Sequence, residues 1–304
     1  MAFPAPVEAA APLVEVRDLV RRYTKGWLER NSITALNGVS LCVSRGETVG
    51  LVGESGSGKS TTGRVLLGLE RADEGEVFFD GTRISGLSDR EMKPWRRRMQ
   101  AIFQDPYGAL NPRRQVGGFI AEPLLVQGIC RNRSEIHDRV AALLRQVGLD
   151  PSFMRRYPHE FSGGQRQRLC IARALAPEPE FIVADEPITA LDVSIQAQIV
   201  NLFQDLRQEM GLSYLFISHD LSMIRYLCHR VAVMLRGRIV ELAPTEEIFS
   251  DPRHPYTRSL LSAIPIPDPD HPHVRPTRFN ADANIPDRMA EMVEVTAGHF
   301  VLEH

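Results

Sequence analysis

The sequence predicts an α/β fold, and two of its features indicate this class. Short apolar runs alternate with amphipathic segments along most of the 304 residues, which is the pattern of strands packed against helices. One apolar run, "ETVGLVG" at 47–53, leads through a glycine-rich turn into "KSTTGRVLLGL" at 59–69, whose apolar residues have helical spacing. A strand, a tight turn and a helix in direct succession form a typical unit of α/β proteins.

The other elements are predicted along the chain in the same way. The segments 13–23 and 33–47 have the pattern of antiparallel strands with a glycine-bearing turn. Strand patterns disappear between about 105 and 175, where helical segments such as 133–149, ending near Gly148, indicate an inserted α-helical subdomain. Later strands are predicted at 181–186, 213–218 and 231–235. From about 265 the chain is rich in proline and is expected to be an extended tail.

Composition excludes several classes of protein. The net charge of −2 gives no indication of a basic face, so no nucleic acid partner is expected. The four cysteines are widely separated and lack the spacing of a disulfide framework or a zinc site, which fits a reducing cytosol. No segment has the signal-peptide pattern or the length of apolar sequence that a membrane span needs.

The segment at 53–60, "GESGSGKS", matches the phosphate-binding P-loop pattern GxxxxGK[ST] between a strand and a helix. Glycines allow backbone N–H groups to converge on a phosphate, and the helix N-terminus favours an anion. Lys59 is predicted to contact the β- and γ-phosphates of ATP, and the Ser60 hydroxyl to bind Mg²⁺. The residues assigned to the nucleotide site are Gly53, Glu54, Ser55, Gly56, Ser57, Gly58, Lys59, Ser60 and Thr61.

A second chemical element ends the strand "FIVADE" at 181–186. Two carboxylates after four apolar residues lie at the carboxyl edge of a strand, where α/β sheets bind ligands. Asp185 is expected to hold hydrated Mg²⁺, and Glu186 to act as the general base that polarises the attacking water.

The stretch "FSGGQRQRLCIARALAPEPEFIVADEPITALD" at 161–192 resembles the signature and Walker B region of ABC-type ATPases. The resemblance implies a P-loop ATPase core with an antiparallel β subdomain and an inserted α-helical signature subdomain. It also implies that Ser162, Gly163, Gly164 and Gln165 cover the γ-phosphate held by the P-loop of a second subunit. The residue types suit this role, because a hydroxyl, two glycines and a helix N-terminus favour close approach of an anion.

Other positions match this family's landmarks. Gln104 has the place of the glutamine that reaches Mg²⁺ and the attacking water, and His219 that of the switch histidine beside the γ-phosphate. Asp192 belongs to the D-loop, which connects the two sites of a dimer. Tyr23 is the candidate for stacking on adenine.

Two segments resemble one branch of the family, the ATPases of oligopeptide, dipeptide and nickel uptake. They are "FQDPYGALNPR" at 103–113 and "IFSDPRHPYTRSLLSAIPIPDP" at 248–269. The resemblance assigns 12–265 to the ATPase domain and 245–304 to a C-terminal extension. We expect its "TRSLLSAI" segment to form a short helix with Tyr256 and Leu260 buried.

This branch implies an ATPase that pairs with itself or a paralogous ATPase at the cytoplasmic face of the membrane. Its expected partners are two membrane permease subunits and an extracytoplasmic solute-binding protein. Peptides are the expected solutes, with nickel or glutathione as alternatives. A soluble ABC ATPase of DNA repair or translation is disfavoured because the sequence has no long coiled coil or second cassette. A catalytically silent regulator is disfavoured because Lys59 and Glu186 are both present.

Overall fold

The computed structural model describes residues 11–24, 32–188, 191–263, 279 and 290–303. Its strands, in chain order, are β1 (Val14–Thr24), β2 (Ser32–Val43), β3 (Thr48–Val52), β4 (Glu74–Phe79), β5 (Thr82–Arg83), β6 (Met99–Ile102), β7 (Phe181–Asp185), β8 (Ser213–Ile217), β9 (Arg230–Leu235), β10 (Arg238–Pro244), β11 (Met292–Thr296) and β12 (His299–Leu302). Its α-helices are α1 (Lys59–Leu66), α2 (Asp89–Arg98), α3 (Pro106–Ala109), α4 (Val116–Gln127), α5 (Arg133–Gln146), α6 (Gly163–Leu175), α7 (Val193–Met210), α8 (Leu221–Leu227), α9 (Thr245–Ser250) and α10 (Pro255–Ser262). Short 3-10 helices cover Pro151–Arg155 and Pro158–Glu160.

The chain divides into two compact units. The first unit combines Met1–Leu87 with Leu215–His304, and the second is Ser88–Tyr214. Within the described residues, no helix is both long enough and apolar enough to cross a lipid bilayer.

The first unit contains an antiparallel sheet with the strand order β2-β1-β4-β5. Val14 of β1 lies opposite Val43 of β2 on one side and opposite Phe79 of β4 on the other. The two antiparallel strands predicted near the N-terminus are therefore confirmed. Strands β4 and β5 were not predicted from the sequence.

The same unit contains a larger sheet in which β11, β12, β10, β9, β3 and β8 follow one another. Strands β3 and β9 are parallel, with Val49 opposite Arg230, and every residue of β3 is buried. A parallel strand that is covered on both faces reads as a continuous apolar run, which is why β3 was predictable. It leads directly into the loop before α1.

The second unit contains the parallel pair β6 and β7 together with helices α2 to α7. The predicted helix at 133–149 is confirmed as α5, whose N-cap Asn132 accepts a hydrogen bond from the Glu135 N–H at 2.9 Å. Gly148 follows the helix with φ 71, in the left-handed conformation expected of a glycine after a helix end.

The prediction of an extended tail from about residue 265 is wrong for the last described segment. Most of residues 264–289 lie outside the described part of the chain, but β11 and β12 form a hairpin that pairs with β10. Leu242 lies opposite Phe300, and Phe300 and Leu302 are buried. Gly298, with φ 77, makes the tight turn between the two strands.

A buried histidine fastens this hairpin to β10 and α9. His299 is 1% exposed, and its ring nitrogens lie 2.8 Å from Glu241 Oε1 and 2.9 Å from Glu247 Oε2. Glu241 is itself fully buried. Since a buried carboxylate is costly without partners, this contact contributes to the stability of the first unit.

We therefore expect His299→Ala to lower the melting temperature of the protein by several degrees, measured by thermal unfolding. Removing one partner from a buried polar pair costs about 2–4 kcal/mol, between a lost neutral hydrogen bond and a broken buried ion pair. His137→Ala is the matched control, because that side chain is 67% exposed on α5. Equal melting temperatures for the two variants would contradict a structural role for His299.

Candidate nucleotide-binding site

The P-loop lies between β3 and α1, in the first unit, and its backbone passes too close to other backbone for side chains. Gly53 has φ 149, and a Cβ there would lie 2.1 Å from the carbonyl oxygen of Met234. Gly58 has φ 110, and a Cβ there would lie 2.4 Å from the carbonyl oxygen of Ala35. Any larger residue at either position would force the loop out of shape.

Lys59 lies inside the curve of this loop. The residue is 5% exposed, and its Nζ donates hydrogen bonds to the carbonyl oxygens of Gly53 at 2.7 Å and Glu54 at 2.8 Å. The loop therefore holds a buried positive charge against its own carbonyl groups. Phosphate oxygens are strong alternative acceptors for the same ammonium group.

The remaining polar groups of the loop also suit an anion. The N-cap Gly58 makes no side-chain cap, and the first turn of α1 has no acidic residue. The Ser57 hydroxyl is buried, with no hydrogen-bond partner among the described residues. An uncapped helix N-terminus and an unpaired hydroxyl beside a lysine fit the triphosphate of ATP.

Tyr23 lies near the end of β1, half-buried, and is tied to the helix that follows the P-loop. Its hydroxyl donates to Glu70, which also accepts from Arg64 Nε at 2.5 Å. Although burial raises it, these two hydrogen bonds hold the pKa of Glu70 below its ordinary value. The Arg21 guanidinium lies 4.9 Å from the centre of the Tyr23 ring. Stacking of this ring on adenine stays a prediction.

His219 is exposed and directly follows β8 and Ser218. The Ser218 N–H donates to the Leu51 carbonyl at 3.3 Å, so β8 ends level with the end of β3. Asp220 then caps α8 by accepting from the Ser222 N–H at 2.9 Å. His219 is therefore held between a strand end and a capped helix.

In the second unit, the register of two parallel strands brings Gln104 and Glu186 together. Ile102 of β6 lies opposite Ala184 of β7, and each predicted site residue follows two positions further along its chain. Gln104 Nε2 donates to Glu186 Oε2 at 2.8 Å. The amide therefore orients the carboxylate that is the candidate general base.

Glu186 has an unusual backbone conformation for a residue with a side chain. Its φ of 47 lies in the left-handed region, which is sparsely populated by non-glycine residues. Asp185, the last residue of β7, and Glu186 are both half-buried. Backbone strain of this kind persists where the surroundings hold it and is concentrated at functional sites.

The signature residues form the start of α6 in the second unit. Ser162 is its N-cap: the hydroxyl accepts from the Gln165 N–H at 3.3 Å, and Gln165 Oε1 accepts from the Ser162 N–H at 3.1 Å. This reciprocal capping box fixes the loop and leaves the hydroxyl proton of Ser162 available to an external acceptor. Ser162 is exposed.

Helix packing requires a glycine at position 164, in addition to the predicted close approach of a phosphate. A Cβ at this position would lie 2.4 Å from Cγ2 of Ile195 on α7, so the helix can pack there only without a side chain. Gly163 is half-buried and begins α6. Asp192 is exposed at the N-cap position of α7, and Ala190, the first D-loop residue, lies outside the described residues.

The structure thus places the predicted site residues in both units. The first unit holds the P-loop, Tyr23 and His219, and the second holds Gln104, Asp185, Glu186, Asp192 and the residues of the signature. Among the residues that the structure describes, no group of three or more histidine, cysteine, aspartate or glutamate side chains forms a metal cluster. The P-loop also has a partner outside the predicted site residues, because the Glu54 N–H donates to the Tyr256 hydroxyl at 3.0 Å, and no local sequence motif signals this contact.

Comparison with known proteins places this geometry in one family. The chain matches the sequence profile described as "ABC transporter" over residues 36–189, and that described as "Oligopeptide/dipeptide transporter, C-terminal region" over residues 240–287. A solved dimer of the ATP-binding cassette MJ0796 bound to ADP and Pi is 31% identical, with a TM-score of 0.69, covering 76% of this chain and 98% of that one. The fold and the site define an ABC-type ATPase.

Proteins with similar sequences indicate the branch of the ABC transporter family. The oligopeptide transport ATP-binding protein OppF of Bacillus subtilis is 50% identical over 295 residues, 95% of each protein. A putative peptide import ATP-binding protein of Brucella ovis is 54% identical over 259 residues, 85% of this chain and 80% of that protein. The chain belongs to the ABC transporter family, and it carries a segment that matches the C-terminal region of oligopeptide/dipeptide transporters.

Proposed function

We propose that this chain is the ATP-hydrolysing subunit of an ABC importer for di- or oligopeptides. One observation carries the choice of solute class: the cassette is joined to the C-terminal region of oligopeptide/dipeptide transporters, matched over 240–287. In the structure, part of that region forms β10, α9 and α10 in the same compact unit as the P-loop. Relatives of nearly the same length have names that describe oligopeptide transport or peptide import.

The phosphate groups of ATP are proposed to bind at the P-loop. Lys59 would exchange its two carbonyl acceptors for β- and γ-phosphate oxygens, and the N–H groups at the start of α1 would complete the cradle. Tyr23 would stack on adenine, and His219 would hydrogen-bond the γ-phosphate. Glu186, oriented by Gln104, would take a proton from the attacking water.

The donor groups fit Mg²⁺. A serine hydroxyl, an aspartate carboxylate and a glutamine amide oxygen are hard oxygen ligands of the kind that this ion binds beside phosphates. Ser60, Asp185 and Gln104 are the residues that would hold it. When bound, the ion supplies positive charge to the phosphate oxygens during phosphoryl transfer.

The second subunit is proposed to complete each site. Ser162 has a hydroxyl proton to donate and is exposed at the start of α6, which suits contact with a γ-phosphate outside its own chain. Asp192, exposed at the start of α7, would connect the two sites across the dimer. The partner ATPase is a second copy of this chain or a paralogue.

The remaining assembly follows from the importer assignment. ATP-binding subunits of this kind act on membrane permease subunits, so the chain is proposed to lie peripherally on the cytoplasmic face of the membrane. An extracytoplasmic solute-binding protein would deliver the peptide. ATP-driven closure of the dimer would shift the permease between its two access states.

Glutathione is the second candidate solute. The glutathione import ATP-binding protein GsiA of Pectobacterium atrosepticum is 49% identical over 97% of this chain, although the match covers only 49% of that protein. Glutathione is itself a peptide-like molecule. One uptake experiment can therefore compare both solutes.

We expect proteoliposomes that contain the complete importer to accumulate a labelled tetrapeptide when ATP is present on the side of the ATPase. Lys59→Ala should abolish this uptake, since the ammonium group is lost from the phosphate site. Lys93→Ala, at an exposed lysine of α2, is the matched control and should transport normally. Uptake of glutathione in place of the peptide would select the second solute, and ATP-dependent uptake of neither would refute the importer assignment for these solutes.

A further inference from the structure

The P-loop has a partner that its own motif does not contain. Tyr256, on α10, is 1% exposed, and its hydroxyl oxygen accepts a hydrogen bond from the backbone N–H of Glu54 at 3.0 Å. Glu54 is the first residue after Gly53 in the loop. Two segments about two hundred residues apart in sequence therefore meet at the start of the phosphate-binding loop.

The tyrosine ring is itself held in place from two directions. Its backbone N–H donates to Nδ1 of His254, a buried N-cap residue of α10, at 3.1 Å. The Phe279 ring packs against it, with 5.5 Å between ring centres. The phenol therefore has little freedom to move away from the loop.

The start of this segment is fixed by Glu241 of β10. The carboxylate is fully buried and accepts from the backbone N–H groups of Arg253 at 2.7 Å and His254 at 3.0 Å. The same carboxylate contacts His299 of the C-terminal hairpin at 2.8 Å. A continuous series of hydrogen bonds thus runs from the hairpin through Glu241 and His254 to Tyr256 and the P-loop.

The contact between Tyr256 and Glu54 is important because Gly53 and Glu54 position the Lys59 side chain. The carbonyl groups of Gly53 and Glu54 hold the Lys59 ammonium, so the conformation of these two residues sets the position of the lysine. A glycine-rich loop loses much conformational entropy when it becomes ordered. Fixing the loop before ATP arrives lowers the cost of ordering it on binding.

The Tyr256 hydroxyl is suited to act as a permanent, uncharged hydrogen-bond acceptor. Burial raises the pKa of Tyr256 to about 12, so the hydroxyl keeps its proton at physiological pH. Its oxygen serves as the acceptor for the Glu54 N–H.

We propose that Tyr256 is a positioning residue for nucleotide binding, whose hydroxyl holds the P-loop in the conformation that receives ATP. The C-terminal segment thereby acts on the ATP site of its own chain, in addition to any contact with partner subunits. The inference rests on the proposed role of the P-loop and goes beyond it, because it assigns a function at that site to a residue outside the cassette motifs.

The test is Tyr256→Phe in the full chain, which removes the hydroxyl and keeps the ring. We expect the Kd for ATP, measured by calorimetry with the purified protein, to rise about three- to tenfold, the scale of one lost hydrogen bond. In the assembled importer the KM for ATP should rise similarly while kcat changes little, because Glu186 and Gln104 are untouched. Tyr214→Phe is the matched control, since its buried hydroxyl has no hydrogen-bond partner among the described residues.

Two outcomes would overturn the proposal. An unchanged Kd for ATP in Tyr256→Phe, even with a lowered melting temperature, would show that the tyrosine only stabilises the fold. A similar rise in Tyr214→Phe would show that the effect does not come from the P-loop contact. Lys59→Ala tests the P-loop assignment separately from the role of Tyr256, because wild-type ATP affinity in that variant would refute ATP binding at the P-loop itself.

Hydrogen exchange of the Glu54 amide gives a second readout that does not depend on activity. In the wild-type protein without nucleotide we expect slow exchange in the peptide that contains Glu54, and faster exchange in Tyr256→Phe. Fast exchange of this amide in the wild-type protein would overturn the proposal even if the variant did not fold.

Discussion

Glu186→Gln is expected to reduce ATP turnover by about two to four orders of magnitude while leaving ATP binding intact, the usual scale for a lost general base. The substitution keeps the size and shape of the side chain, but an amide cannot take a proton from water. Gln104 donates to Glu186 Oε2 at 2.8 Å, and a glutamine at 186 can still accept that hydrogen bond through its own oxygen. The geometry should therefore survive, and the loss should be in kcat.

The measurement is steady-state ATPase activity in the assembled importer, together with ATP affinity of the purified variant. Glu178→Gln is a close control, because Glu178 also has a positive φ, of 57, lies in the same unit and is exposed. It should hydrolyse ATP at the wild-type rate. Near-normal turnover in Glu186→Gln would remove Glu186 from the role of general base.

The second large effect concerns the division of each ATP site between two subunits. If Ser162 acts on the nucleotide of the partner, a dimer with Lys59→Ala in one subunit and Ser162→Arg in the other has both lesions in one composite site. The second site is then intact, and we expect about half of the wild-type ATPase activity. A dimer with both lesions in one subunit and none in the other has one lesion in each site, so activity should be lost.

The physical reason is the exposed N-terminus of α6. Ser162→Arg removes the hydroxyl and the capping box and adds a bulky side chain where a phosphate would approach. A dimer with Lys59→Ala in one subunit alone is the necessary control, because it shows that one intact site turns over by itself. Equal activities for the two arrangements of lesions, with that control active, would contradict the shared site.

Local sequence patterns were sufficient to predict those features whose chemistry and backbone geometry depend on neighbouring residues. The buried run of β3, the glycines at 53 and 58 and the lysine that follows predicted the P-loop, because a strand, a positive-φ turn and a helix start are encoded within a dozen residues. The capped helix α5 was predicted for the same reason. The carboxylates at 185 and 186 were found because they directly follow an apolar strand.

The C-terminal hairpin has a local signal in the sequence. Two short segments rich in β-branched and aromatic residues, "MVEVT" and "HFVL", lie on either side of a turn at Gly298, which is a hairpin pattern. The proline-rich segment before it led to the prediction of a tail.

The expected burial of two residues of α10 is only partly correct. Tyr256 is buried, but Leu260 is only half-buried, and Thr257 is buried in addition. The orientation of a short helix is set by what it packs against, which the sequence of the helix does not specify.

The sequence by itself therefore determined the α/β class, the identity of the phosphate-binding loop, the candidate base and the family to which the chain belongs. Only the tertiary structure decided that Gln104 orients Glu186, because that contact depends on the register of two parallel strands far apart in sequence. The same holds for the hydrogen bond between Tyr256 and Glu54. Such contacts follow from how distant segments pack together, and no local pattern of residues encodes a partner two hundred positions away.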